Sequence, residues 1–412
     1  MPEAVIVSTA RSPIGRAFKG SLKDERPDDL AAAMVSAALA KLPAFDPTGD
    51  SGPGLDDLYL GCAEPSGEAG SNMARVVTIL TGLDNVPAAT VNRFCASSLQ
   101  TLRMAFHAIR AGEGQAFVAA GVEAVSRYQD WAGAGETGAR NHNPLFEPAR
   151  QRTAARAESN TPWTDPRLGG RMPDIYIAMG QTAENVATSY GVSRADQDEW
   201  AVLSQSRAEA AIASGFYARE ITPYERRDGT VVDRDDSPRP GVTLDAVSAL
   251  QPVFRREGTV TAGNACPLND GAAALVVMSY DLARDLGLEP LARIVSTAAT
   301  ALSPELMGMG PVEASRQALA RARLDMRDID LVELNEAFAV QVVASARELK
   351  IDPARLNVHG GAIALGHPFG MTGARMTTTL LNGLRETDGT MGLATLCVGG
   401  GQGMAVVLER LT

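Results

Sequence analysis

An α/β fold is predicted for this chain of 412 residues by three features of its sequence. Short strand-like runs alternate with longer segments of helical apolar spacing, glycine turns separate the two kinds, and one strand–helix–strand plan occurs twice. The first strand, residues 4–9, is the apolar run of "AVIVSTARSPIG". Further strands are expected at 57–61, 88–92, 116–122, 272–279, 292–298, 331–334, 390–398 and 404–408. Helices are expected at 28–42, 73–81, 96–111, 194–214, 311–323, 336–349 and 371–385. In the third of these, Leu99, Leu102, Phe106 and Ile109 recur at three- and four-residue steps, and Gly112 and Gly114 end it. Between residues 126 and 170 the pattern dissolves into Gly, Pro, Arg and polar residues, a length that suits a functional lid or an oligomer contact better than a connector.

Composition limits the functional classes. A hydrophobic fraction of 45% with 21% charged residues is that of an ordinary soluble globular protein, and no apolar run approaches the roughly 18 residues of a membrane span. The net charge of −11 argues against a nucleic-acid surface, although a local basic patch for an anionic ligand remains compatible with it. Cys62, Cys95, Cys266 and Cys397 are far apart and form no CxxC pair, so neither a disulfide framework nor a zinc or other metal site is expected. The chain opens on a strand rather than on a signal sequence and ends without a peroxisomal tripeptide, which makes the cytoplasm its expected location.

Chemistry concentrates in "VNRFCASSLQ". Cys95 stands between a strand end and a helix start, where the helix dipole and free N–H groups favour a thiolate; the competing reading is a buried small hydrophobe. Residues 92–122 run strand end, reactive residue, helix, glycine turn, strand, and residues 357–403 repeat that plan with His367 in the place of Cys95.

From "IVSTARSPIG" through "NRFCASSLQ", "MGQTAENVA", "TAGNACPLNDGAA", "NEAFA" and "GGAIALGHPFGMTGAR" to "CVGGGQG", the chain closely resembles the thiolase family, acyltransferases that make or cleave 3-ketoacyl-CoA. The resemblance implies a thiolase-like fold: two similar mixed five-stranded halves stacked α-β-α-β-α, with an inserted loop domain. It implies residues 1–124 plus 269–290 as the N-terminal half, 125–268 as a loop domain covering the CoA, and 291–412 as the C-terminal half. Dimers or tetramers are the family's rule, and the segment from Tyr128 onward is where tetramers touch.

By the same resemblance Cys95 is the nucleophile, His367 takes its proton, and Cys397 is the acid/base acting on the α-carbon of acetyl-CoA. These residue types suit the reaction: a thioester is split by a thiol, and a carbon–carbon bond beside a carbonyl needs a base and oxyanion stabilisation. The N–H groups of Cys95 and Gly399 are expected in one oxyanion hole, and His367 with a water held by Asn335 in the other. Asn335 is alternatively a helix N-cap. Met179 and Phe338 are expected along the pantetheine arm and acyl pocket, or simply in the core, and Gly263, Ala265 and Cys266 beside the CoA. Coenzyme A and acyl-CoA enter as substrates, with no bound cofactor.

Three departures from the family pattern stand out: Cys266 replaces a frequent serine, Ser98 a frequent glycine, and Ala178 the histidine that short-chain biosynthetic members carry. The last favours a degradative or broader-chain enzyme. Of the other histidines, His107, His142 and His359, only His359 sits near a motif, where a structural role is expected. Two rivals remain. A ketoacyl synthase supplies two histidines where this chain has His367 and Cys397, and a non-catalytic acyl-CoA-binding relative is expected to have lost one of the three reactive residues.

Overall fold

The computed structural model describes residues 1–128, 142–159 (Ser159 by its backbone alone) and 161–412. All nine expected strands form: β1 (Ala4–Arg11), β2 (Asp57–Gly61), β3 (Ala88–Val91), β4 (Ala116–Ala124), β5 (Asn269–Ser279), β6 (Ala292–Ala301), β7 (Leu331–Leu334), β8 (Met391–Val398) and β9 (Gln402–Arg410). They follow the hydrogen-bonded order β7-β8-β9-β6-β1-β5-β4-β2-β3.

That path is one plan used twice. In the first half-sheet β5 is antiparallel to both β1 and β4, and β2 is parallel to β4 and β3. In the second, β9 is antiparallel to β6 and β8, and β7 is parallel to β8. The fifth strand expected in the second half is reduced to a parallel bridge between Val332 and Leu356. The halves join edge to edge only at Val5–Arg293 and Ile6–Ala292, where β1 meets β6.

The helices are α1 (Pro27–Ala40), α2 (Met73–Leu80), α3 (Ser97–Ala111), α4 (Glu147–Ser159), α5 (Met179–Tyr190), α6 (Arg194–Ala213), α7 (Gly310–Ala322), α8 (Ala339–Leu349) and α9 (Thr372–Glu386), with several single turns between them. Three apolar cores define the five layers. The central one joins Leu99, Leu102, Phe106 and Ile109 of α3 and Met376, Leu380 and Leu384 of α9 to Leu275 and Val277 of β5 and Leu396 of β8. Outside the first half-sheet, Leu30, Met34 and Val35 of α1 cover Val118 and Val276. Outside the second, Val312 and Leu319 of α7 and Val340 of α8 cover Leu393 and Val407. Strand β5 is covered on both faces, odd residues inward and even residues outward, which is why its sequence is a continuous apolar run. Truncating one of these side chains, such as Leu102, costs about 2–5 kcal/mol.

The central helices touch at their N-terminal ends. A Cβ on Gly373 would lie 2.4 Å from Leu99 N, so only glycine permits the approach. The departure at Ser98 has a structural reason there: its Oγ accepts from Ala374 N at 2.9 Å, serving an amide in the first turn of α9.

Two expectations need correction. The helix expected at 336–349 begins at Ala339, because the preceding residues are held by another segment: Phe338 is extended and bridges Ala265, and Ala337 O accepts from Cys266 N at 3.2 Å. Residues 126–170 were expected to lack regular structure, yet they contain α4, whose polar sequence has no apolar stripe for periodicity to detect. Helix α5 was likewise not expected. Residues 129–141, which hold most of the segment where tetramer contacts were expected, lie outside the described residues. Among the described residues no helix is long and apolar enough to cross a membrane.

Candidate active site

The N-terminal ends of α3 and α9 bring Cys95 and His367 to the same end of the central layer. Cys95 lies in the 3₁₀ turn Phe94–Ala96 that leads into α3. Phe94 has φ +43°, a left-handed conformation that costs a non-glycine residue about 1–2 kcal/mol. The neighbouring side chains hold it there: Asn92 Oδ1 accepts from Phe94 N at 2.8 Å, and Ser97 Oγ donates to Phe94 O at 2.7 Å.

The Cys95 residue keeps some surface, but packing around its sulfur pushes the thiol up to about 12, against the opposing pull of the Gly399 N–H and its own N–H. The lowered pKa expected at a helix start is therefore corrected. The sulfur precedes the α-helix by a 3₁₀ turn, and desolvation outweighs the two amides. At rest Cys95 is a thiol that needs a base.

His367 has the protonation state that a base requires. Burial, with a smaller contribution from Arg375, lowers its imidazolium to about 3, so the ring is neutral near pH 7. Its Nδ1 meets Thr372 Oγ1 at 2.6 Å, and the Thr372 hydroxyl already donates to Pro368 O at 2.8 Å. A hydroxyl has one proton, so with that proton donated to Pro368 O, Thr372 accepts from Nδ1–H, the tautomer that leaves Nε2 as the basic nitrogen. Asn335 Nδ2 lies 3.3 Å from Nε2, in position to donate to it. Asn335 Oδ1 is buried with no hydrogen-bond partner among the described residues, so the same amide can accept once Nε2 is protonated. The N-cap reading of Asn335 fails, because Phe338 occupies that position of α8.

Cys397, fully buried in β8, pairs with Gly403 of β9. Burial holds its thiol well above the ordinary range, and the fields of Cys95 and Cys266 push it the same way. Cys266 is raised by burial and then by Cys95 and Glu336, so the three thiols lie within reach of one another's fields. After β8 the chain turns through Gly400 and Gly401, both at φ +76°, which aims Gly399 N at the Cys95 sulfur while the Phe94 ring covers Gly399.

A groove of ≈ 340 Å³ runs past the residues that flank Cys266, lined by Gly263, Ala265, Ser237, Arg16 and Arg239 among others. Ala265 and Pro267, on either side of Cys266, belong to its wall. Phe338 packs edge-on against Phe254 at 6.1 Å, and Met179, the first residue of α5, lies on the same apolar cluster. His359 is structural as expected, stacked on Phe216 at 3.7 Å with Nε2 2.6 Å from Glu386.

Sequence reading missed Thr372 and the cations Arg16 and Arg239. Thr372 lies five residues after His367 inside a quoted motif, and Arg16 directly follows another. No sequence signal shows the strained φ of Phe94.

A neutral imidazole and a thiol at the same end of the central layer, with a groove carrying two cations at its wall, suit a thiol-dependent acyltransferase. The comparisons make the class specific. Residues 4–281 match the model of the thiolase N-terminal domain and residues 288–410 that of the thiolase C-terminal domain. The 3-ketoacyl-CoA thiolase of Bacillus subtilis (strain 168) is 42% identical, covering 99% of this chain and 100% of that protein. The β-ketoadipyl-CoA thiolase of Pseudomonas aeruginosa is 43% identical, covering 99% of each. Among solved structures, the acetyl-CoA acetyltransferase of Bacillus anthracis superposes with TM-score 0.84 at 36% identity, covering 100% of this chain and 99% of that one. The chain belongs to the thiolase family. It is an acyltransferase of thiolytic cleavage and the reverse condensation, with CoA as substrate, and neither rival reading is favoured.

Proposed function

We propose that this thiolase cleaves a linear 3-ketoacyl-CoA through an acyl group on Cys95, in fatty-acid degradation in the cytoplasm. The observation that carries this reading is the setting of the neutral His367 ring, Nδ1 against the Thr372 hydroxyl and Nε2 against the Asn335 amide, at the end of the central layer where Cys95 also lies. As the Cys95 sulfur attacks the C3 carbonyl, its proton passes to His367 Nε2 and the carbonyl becomes an oxyanion. Cys95 N and Gly399 N, both directed at that sulfur, stabilise the charge. When the C2–C3 bond breaks, its electrons go to C2. The resulting enolate, its oxygen bound by protonated His367 and a water on Asn335, takes a proton from Cys397 and leaves as acetyl-CoA. The incoming CoA thiol gives its proton to the Cys397 thiolate and attacks the acyl group. Cys95 leaves with the proton held by His367, and the enzyme is restored.

Arg16 and Arg239 suit the anionic part of CoA, and Gly263, Ala265 and Cys266 border its pantetheine arm, which ends between Met179 and Phe338. The division into residues 1–124 with 269–290, 125–268 and 291–412 is proposed on the same grounds. So is a homodimer across β3, an edge strand with half-exposed residues beside Val76, Ile79 and Leu80 of α2, which are 38%, 51% and 52% exposed. Ala178 is exposed directly before Met179, where histidine would occupy more of the pocket mouth. Steady-state kinetics with acetoacetyl-CoA, a longer linear 3-ketoacyl-CoA and 3-ketoadipyl-CoA test the reading. Turnover of the longer linear chain is expected, and strict use of either other substrate would overturn it.

A further inference from the structure

We propose that Asn269 is the positioning residue that sets His367 against the thiols, an inference that rests on the reading of His367 as proton acceptor. Cys95 comes from the first half of the molecule and His367 from the second, and the sheet joins those halves at only two residue pairs. The placement of the imidazole therefore depends on side chains that cross the boundary.

Asn269, the first residue of β5, is fully buried and uses both ends of its carboxamide. Its Oδ1 accepts from His367 N at 2.9 Å, and its Nδ2 donates to Gly15 O at 2.9 Å and to Ser237 Oγ at 3.1 Å. Turning the amide would break the bonds to His367 N and Gly15 O together, since a backbone N–H only donates and a carbonyl only accepts. The backbone bends around it: Gly366 has φ +114°, and a Cβ there would lie 2.5 Å from Asn269 Cγ. At the far end of the same loop, Glu123 of β4 accepts from Gly370 N at 2.8 Å. Two first-half side chains thus bracket the loop that carries His367. Asn269 also ties it to Ser237 and Gly15, the first in the groove wall and the second beside Arg16.

The test uses the full-length enzyme with acetoacetyl-CoA and CoA, comparing Asn269→Ala with Asn269→Asp. Aspartate keeps an acceptor for His367 N and loses the donors to Gly15 and Ser237. In Asn269→Ala, kcat should fall about 10- to 100-fold, the scale of a 1 Å misplacement, with KM for acetoacetyl-CoA changed less than about threefold. Asn269→Asp should keep kcat within about fivefold of the native enzyme even where its Tm falls. A buried asparagine that served stability alone would lower Tm and leave kcat of the folded fraction unchanged in both variants. The proposal is overturned if Asn269→Ala keeps kcat within about threefold, or if Asn269→Asp is as impaired as Asn269→Ala. Should Asn269→Ala not fold, alkylation of Cys95 by iodoacetamide in Asn269→Asp decides: a rate within about twofold of native is expected, and one about tenfold slower overturns the proposal. A native enzyme with no thiolysis of any 3-ketoacyl-CoA would instead overturn the reading of the site, so the two failures are distinct.

Discussion

The Nδ1 of His367 and the Oγ1 of Thr372 are 2.6 Å apart, and the threonine proton is already engaged by Pro368. That pair fixes the tautomer of the base. Thr372→Val should therefore keep the fold and release the ring to either tautomer, lowering kcat about 10- to 100-fold, while Thr372→Ser should restore most of it. Single-turnover acylation by acetyl-CoA checks the effect at the step in which Cys95 loses its proton. Equal rates in the valine and native enzymes would show that the tautomer is fixed elsewhere.

The two thiols should fail separately. Cys397→Ala is expected to accept an acetyl group on Cys95 yet lose thiolysis, condensation and exchange of α-hydrogens with solvent deuterium, by the roughly 10²–10⁴-fold that a general base contributes. Cys95→Ala should form no acyl-enzyme at all, as seen by intact-mass measurement. A Cys397→Ala enzyme within a few fold of native in thiolysis would refute the role assigned to it.

Because burial holds the Cys95 thiol up at about 12, its alkylation should have no plateau near neutral pH. The rate with iodoacetamide should climb about tenfold per pH unit from 7 to 9, following the thiolate fraction, and acetyl-CoA should protect the site. Cys95 should still react faster than Cys62, which is buried, and than Cys266, whose thiol burial and the neighbouring Cys95 push up further, and His367→Ala should slow it. His367, at about 3, should contribute no acidic limb to kcat/KM above pH 4.

Glu333 offers a test through stability. Burial raises its carboxyl to about 8, well above the ordinary value, so between those two values the folded state holds a proton that the unfolded state has lost. Its cost to stability is absent below the unfolded pKa, grows as pH rises, and is fully present above about 8. The difference in Tm between Glu333→Gln and the native protein should accordingly move in the variant's favour from pH 5 to pH 9. A difference independent of pH would mean that the Arg375 guanidinium, 3.5 Å away, keeps Glu333 ionised throughout.

Much of this architecture was legible because alternation and apolar runs follow from burial. Strand β5 is covered on both faces and reads as a strand from composition alone, and α3 announces itself through Leu99, Leu102, Phe106 and Ile109. Helix α4 was not legible: it buries Ala149 but has an otherwise polar surface, and its docking comes from bonds such as Thr153 to Asp174 at 2.7 Å. At the site, the motifs located Cys95, His367 and Cys397. Their protonation states were not legible, because a pKa depends on how deeply each sulfur or ring is packed. The lowered Cys95 thiol argued from a helix start failed for that reason, since packing around the sulfur outweighs the two amides that face it.

The doubled half-sheet bears on how such a catalyst could arise. Two identical halves related by a twofold axis would place the same side chain at the start of both central helices, giving two cysteines or two histidines but never one of each. Nucleophile and base can differ once both copies lie on one chain, where each is free to diverge in sequence while keeping the shared backbone plan. In this molecule the departure from symmetry is Cys95 before α3 and His367 before α9, and on the proposed mechanism it turns a repeated scaffold into a division of labour.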